Sequence, residues 1–373
     1  MTRRKKPGRH FVVISLLAAV LFTHPFPRLS SAQETSAPQA PTKRMRRAKG
    51  EQPKTPASRQ IPSGQKQTAA EDEEVVRVDT ELATILLTAI DQERRFITTL
   101  KREDVRVLED NVPQELFIFE RETDLPSTLS ILIDTSRSQA GIMSDEKSAA
   151  RTFIDSVIRP DRDQAAVISF TGEAVLEQPL TNELEKLRGA VDRVVVGVPP
   201  DNPDCEGNVS SERDPLCYTG VWDALWVTAN EVLSQTPERT RRAIIMLSDG
   251  DDSSSTTKRQ EAIDLAVKNN VVVYSIGMRD EAFGEGKLDA GSLRKVSEKT
   301  GGRAFFPRDK RELEAAFAQI QDELRSQYLI AYQPANRRHD GSFRQLRVEI
   351  VNPQLRKQKL RLLYRQGYYA KKG

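Results

Sequence analysis

Apolar positions along this 373-residue chain change their rhythm twice. Between residues 74 and 126 they come in short runs at 75–78, 82–90, 105–107 and 116–119. Turn-prone triplets, Asp91-Gln92-Glu93 and Glu109-Asp110-Asn111, separate them, so the pattern predicts a small β module. From 127 to 324, near-continuous apolar runs alternate with helical spacing. The runs 129–133, 165–170, 243–248 and 271–276 read as strands buried on both faces, and 174–176 as an edge strand. Between them, Ala149/Ala150, Phe153/Ile154 and Val157/Ile158 recur at helical intervals and stop at Pro160. Trp222, Leu225, Trp226, Ala229 and Leu233 make one apolar helix face, better suited to a core than to a ligand platform. A helix from about Ser292, a short strand at 303–306 and a helix over 311–324 complete the series. Such alternation predicts an α/β fold with a doubly wound, mostly parallel sheet. After 325 the period returns to two, at Tyr328/Ile330/Tyr332, Leu346/Val348/Ile350 and Leu360/Leu362/Tyr364. With turns at Asp340-Gly341 and Asn352-Pro353, residues 325–373 read as three antiparallel strands that complete the N-terminal β module.

The first 73 residues have no such rhythm. Arg3, Arg4, Lys5, Lys6 and Arg9 precede an apolar run at 11–22, and Ser30-Ser31-Ala32 offers small residues for cleavage. Residues 1–32 therefore have the layout of a secretory signal peptide, with an uncleaved membrane anchor as the alternative. Residues 33–73, rich in Pro, Gln, Ser, Thr and Lys/Arg, predict a disordered linker. An exported chain meets an oxidising compartment, and the two cysteines, Cys205 and Cys217, share the polar insertion 199–216 and its border. A disulfide is the expectation, with free thiols as the alternative; zinc lacks a nearby His or further Cys.

Charge is uneven. The whole chain is +3, but residues 127–324 hold 24 basic against 34 acidic side chains and residues 325–373 hold 12 against two. No nucleic-acid-binding motif accompanies the basic tail, which reads as a solvated face beside an acidic neighbour. Histidine occurs only at 10, 24 and 339, which leaves a Ser-His-Asp hydrolase and His-ligated zinc without an imidazole. There is no glycine-rich phosphate loop of the P-loop kind. The chain is therefore expected not to be an enzyme.

Where the 129–133 run ends, Asp134, Ser136 and Ser138 stand at alternate positions. They are hard oxygen donors of the sort magnesium or manganese prefers, at the strand end where open α/β sheets bind ligands. Two further elements follow in order. Thr219 precedes the amphipathic segment, and Asp249 follows the 243–248 run and leads into Gly250-Asp251-Asp252. This order of D-x-S-x-S, helix-preceding Thr and strand-Asp-Gly resembles the metal-ion-dependent adhesion site (MIDAS) of von Willebrand factor type A (vWA) domains.

The resemblance implies a vWA, Rossmann-like domain over 127–324, with Asp134, Ser136, Ser138, Thr219 and Asp249 holding Mg2+ or Mn2+. Three neutral hydroxyls among the ligands would leave the ion electrophilic, able to take a carboxylate from a protein partner. Asp223 is read as orienting the helix, and Asp251 and Asp252 as turn and N-cap residues. Arg137 stands where such domains commonly carry Gly; its charge either weakens metal binding or clamps an acidic ligand at the rim, and the alternative is a side chain that points to solvent. The signal, the β module with Glu109-Asp110-Asn111, and the ending Tyr364-Arg365-Gln366-Gly367-Tyr368-Tyr369 resemble the exported acidobacterial VWFA-related family. That resemblance implies an exported protein-binding module, with membrane contact only if the leader is retained. The alternative is a structural or assembly factor of the cell envelope whose metal stabilises the fold.

Overall fold

The computed structural model describes residues 43–45, 82–121, 125–197, 218–237, 240–279 and 288–373. The leader, the run at 75–78, the insertion 199–216 and both cysteines lie outside them. In chain order the strands before the α/β part are β1 (Lys43–Met45), β2 (Ala83–Ile90), β3 (Val105–Glu109), β4 (Val112–Gln114) and β5 (Leu116–Arg121). The α/β part runs β6 (Ser127–Asp134), α1 (Met143–Val157), β7 (Gln164–Phe170), β8 (Ala174–Thr181), α2 (Leu184–Arg193) and α3 (Val221–Val227). It continues with β9 (Arg241–Leu247), α4 (Arg259–Lys268), β10 (Val271–Ile276), α5 (Ala290–Thr300), β11 (Ala304–Phe305) and α6 (Lys310–Arg325). The tail adds β12 (Tyr328–Tyr332), β13 (Phe343–Ile350), α7 (Pro353–Lys357), β14 (Arg361–Leu363) and β15 (Gly367–Tyr369).

All eight positions of β6 are buried because the strand lies mid-sheet and is covered on both faces. The seven-stranded sheet has the order β1-β8-β7-β6-β9-β10-β11. β7 and β9 pair with β6 in parallel, β10 and β11 extend the parallel run, and β8 and β1 close the other side antiparallel. Alternate residues of β6 enter different cores. Leu129, Ile131 and Ile133 pack with Phe153 and Ile154 of α1 and Phe317 and Ile320 of α6. Leu132 packs on the opposite face with Leu225 of α3, Ile263 of α4 and Leu293 of α5. Each such side chain, once fully buried, contributes about 1.5–3 kcal/mol. The doubly wound reading therefore holds.

Three details differ from the sequence reading. Lys43–Met45 falls in the stretch read as linker, yet it pairs with β8, which is therefore not an edge along those residues. The amphipathic helix of the two tryptophans changes pitch after Val227 and continues as a π-helical turn, Thr228–Leu233. That turn still keeps Ala229 and Leu233 buried. The tail strands do not form a three-stranded unit of their own. They interleave with the N-terminal strands in two four-stranded sheets, β14-β2-β12-β5 and β15-β13-β3-β4. Each tail strand carries one apolar face, and the N-terminal module supplies the strands on which that face can close. Ile85, Leu87, Val107, Ile330, Leu346 and Val348 share the resulting core.

Two turns show their chemistry. Asp110 and Asn111 both take positive φ, 49° and 67°, the conformation a tight β3–β4 hairpin demands. Asn352-Pro353, expected as a turn, instead opens α7: the Asn352 side chain accepts from the Gln354 amide at 2.9 Å. Proline then stands in the first turn, where its missing N–H costs nothing. Among the described residues no helix is long and apolar enough to cross a membrane.

Candidate metal centre

β6 delivers Asp134 to the carboxyl edge of the sheet, fully buried. Both carboxylate oxygens are engaged: Oδ1 accepts from the Ser136 amide at 2.9 Å and Oδ2 from the Ser248 hydroxyl at 2.6 Å. The chain then makes a 3-10 turn over Arg137–Gln139, which sets the Ser136 and Ser138 hydroxyl oxygens 3.1 Å apart. Gln139 Nε2 donates to Ser138 Oγ at 3.2 Å. Asp249, just beyond β9, accepts the Asp251 amide on Oδ1 at 3.1 Å, whereas its buried Oδ2 accepts no hydrogen bond. Burial and the Asp249 charge push Asp134 up to about 7, against the hydrogen bonds from Ser136 and Ser248. Burial raises Asp249 too, opposed by the Ser138 hydroxyl, the Asp251 amide and the charge of Arg279.

Thr219 is placed through its backbone. Its amide donates to Ser253 Oγ at 2.8 Å, and its carbonyl accepts from the Ser253 and Ser254 amides at 2.9 and 3.1 Å. The next amide, Gly220, donates to Thr171 O at 2.6 Å, just past the end of β7. Thr219 thus sits among the loops that follow β7 and β9, the two neighbours of β6. Asp134, Ser136, Ser138 and Ser248 form one hydrogen-bonded set, Asp249 follows Ser248 directly, and Thr219 is tied to the Asp249 loop. Residues 217–319 match the von Willebrand factor type A domain.

The vWA match begins downstream of the D-x-S-x-S stretch, which joins it through the pairing of β6 with β9. Among solved structures, the fold is similar to BatB from Bacteroides thetaiotaomicron, at 16% identity over 54% of this chain and 100% of that one, TM-score 0.41. It is also similar to a von Willebrand factor type A protein from Catenulispora acidiphila, at 18% identity over 62% and 52%, TM-score 0.43. A third is proximal thread matrix protein 1 of the mussel byssus with a zinc-occupied MIDAS motif, at 18% identity over 57% and 48%, TM-score 0.43. The chain spans about half the length of the last two. Likeness at these identities concerns the fold alone. No curated protein matches the chain.

The vWA donor set consists of hydroxyl and carboxylate oxygens without nitrogen or sulfur, which suits magnesium or manganese. Among the described residues no three His, Cys, Asp or Glu side chains come close enough to cage an ion by themselves. An ion at this centre therefore needs the hydroxyls. The unpartnered Asp249 Oδ2 is the observation that fits one: a buried carboxylate oxygen without a donor is costly unless a cation or water meets it.

Other predicted residues take different places. Asp223 accepts the Thr256 and Thr257 amides at 2.8 and 2.7 Å and ties α3 to the loop after Asp249. Asp252 caps, but not the helix that follows it. It accepts the Val221 amide of α3 at 2.9 Å, while the flanking position of α4 is Lys258. Arg137 is half-buried with its Nε enclosed, so it is not wholly solvated. Cys205 and Cys217 lie outside the described residues.

The sequence reading missed two things. Ser255 takes the Trp222 and Asp223 amides at 3.0 and 3.1 Å, so with Asp252 it caps the start of α3. Glu146, inside the polar stretch Ser144-Asp145-Glu146-Lys147, reads as a solvated first-turn acid. In the structure it lies on the buried stripe of α1, with Met143, Ala149, Ala150, Phe153, Ile154 and Val157. Its spacing from Ala149/Ala150 and Phe153/Ile154 is the signal that could have found it.

Proposed function

We propose that the vWA domain is a protein-binding module that takes a partner's Glu or Asp carboxylate at a magnesium or manganese ion held by Asp134, Ser136, Ser138, Thr219 and Asp249. The observation that carries this reading is the orphaned Asp249 Oδ2 beside two hydroxyls 3.1 Å apart at the end of β6. A divalent cation would supply the missing positive charge and an open position for an outside anion. The ion's neutral hydroxyl partners leave its charge to that anion. With 24 basic against 34 acidic residues over 127–324, a diffuse polyanion is repelled and a single well-placed carboxylate favoured. This binding is non-enzymatic, and the chain is exported, in keeping with its resemblance to the acidobacterial VWFA-related family.

The test is capture of partners from envelope extract by the purified chain, with magnesium and with chelator. Losing a desolvated charge partner commonly costs ~2–5 kcal/mol, so capture should vanish with chelator and in Ser136→Ala. Capture that survives both treatments, alongside a chelator-lowered melting temperature, assigns the ion a fold-stabilising role instead.

A further inference from the structure

Glu146 is the anomaly of α1. Its stripe should be apolar at every position, yet the second position holds a carboxylate with no exposed surface. Neither oxygen, Oε1 or Oε2, has a hydrogen-bond partner. The charges that act on it are those of Asp134 and Asp249, and with burial they push its carboxyl well above the ordinary range. Next to the same set, Gln139 is fully buried with Oε1 unpartnered, while its Nε2 reaches Ser138. Four buried acceptor oxygens without donors therefore belong to residues that touch this set or feel its charge: two of Glu146, Gln139 Oε1 and Asp249 Oδ2. Core positions of this kind are filled by Leu or Ile at no cost, whereas an isolated buried carboxylate is among the most expensive groups a core can hold. The burden makes sense if something positive or hydrated meets these oxygens.

We infer that Glu146 and Gln139 form the inner wall of the metal centre, adding a third carboxylate that holds the water shell of the bound divalent cation from the core side. The inference rests on the metal-binding reading above. The three acids do not approach closely enough to cage an ion directly, so Glu146 acts as a positioning residue through water and charge. Partners in this outer layer commonly set metal affinity within a factor of 10–100.

The experiment measures magnesium and manganese affinity by calorimetry on the full chain, together with the melting temperature in chelator. Wild type is compared with Glu146→Gln, Glu146→Met and Gln139→Met. Removing the unpartnered buried acid should raise the metal-free melting temperature in both Glu146 variants. Magnesium affinity should fall about tenfold or more in both, and less in Gln139→Met. Either Glu146 variant with a raised melting temperature and unchanged affinity overturns the inference and leaves a burdened core acid. The methionine variant, which matches its apolar stripe, decides the matter should glutamine fold poorly. Wild type that binds neither metal overturns the metal reading itself, and this inference with it.

Discussion

Among the described residues, Glu323 and Glu146 are both buried acids, and the difference between them is what they touch. Glu323 of α6 accepts from the Tyr274 hydroxyl at 3.0 Å and lies 3.5 Å from Arg303, so its charge is answered inside the core. Burial still outweighs those partners and lifts its carboxyl to about 7. Between its unfolded value and about 7, the folded state binds this proton more tightly than the unfolded chain does. Its contribution to stability is therefore present in full below the unfolded pKa and lost as pH rises through about 7. A shift of that size corresponds to on the order of 3 kcal/mol. Urea melts of wild type and Glu323→Gln from pH 4.5 to 8, in chelator, should show the variant losing less stability across this window. Parallel curves would mean that Arg303 already compensates the charge. Glu146 has no such partners. The D-x-S-x-S stretch is a weak signal alone, because Ser and Asp are common in turns, and it stood out in the sequence only through Thr219 and Asp249 following in order. Glu146 did not stand out, because Ser144-Asp145-Glu146-Lys147 looks like any solvated helix start until the helix phase is set by Phe153 and Ile154.

At the scale of elements, the loop from Asp251 to Thr257 ties the candidate site together. It carries the Asp249 side to Thr219 through Ser253, and it fills the first turn of α3 through Asp252 and Ser255. Thr219 therefore keeps its position only while this loop and α3 stay joined. Asp252→Ala should cost about 1 kcal/mol, the usual price of a lost cap. It should also shrink the magnesium-induced rise in melting temperature, since Thr219 is freed along with the helix start. A thermal shift in magnesium as large as that of wild type would separate the cap from the metal centre. The strands of this region were readable from their runs, 271–276 to the residue. The capping was not, because serine and aspartate in a loop name no partner. Helices α2 and α4 escaped for a related reason: each is ten residues long, and charged side chains interrupt its apolar positions. Their burial depends on the sheet they cover rather than on their own pattern.

Among the described residues, the strands before and after the α/β part are held by an exchange of pairings. β12 runs antiparallel between β2 and β5, and β13 pairs with β3, so the described part of the N-terminal module has no complete sheet without the tail. Glu109 of β3 shows the dependence at one atom: its Oε2 accepts from the Tyr332 and Tyr368 hydroxyls at 2.8 and 2.7 Å. The tail also reaches the vWA domain. The Gln366 amide donates to Lys299 O at the end of α5, and Arg361 pairs with Glu298. The periodicity of the tail foretold strands and their alliance with the N-terminal module, but pairing order is set by which edges lie close, and a single sequence does not carry it. Removing residues 326–373 should therefore do more than shorten the protein. It would strip Tyr328, Ile330, Tyr332, Leu346 and Val348 from the core shared by the two four-stranded sheets, leave β2 and β5 without strand partners, and leave β3 paired with β4 alone. Unpaired apolar edges seek other chains. The truncated chain should lose strand signal in circular dichroism beyond the deleted share and elute as aggregates, while its parallel sheet, whose pairings are complete by β11, keeps the metal-dependent shift. Equal loss of that shift would show that the two sheets and the vWA domain fold as one cooperative unit, with the metal centre depending on strands that never touch it.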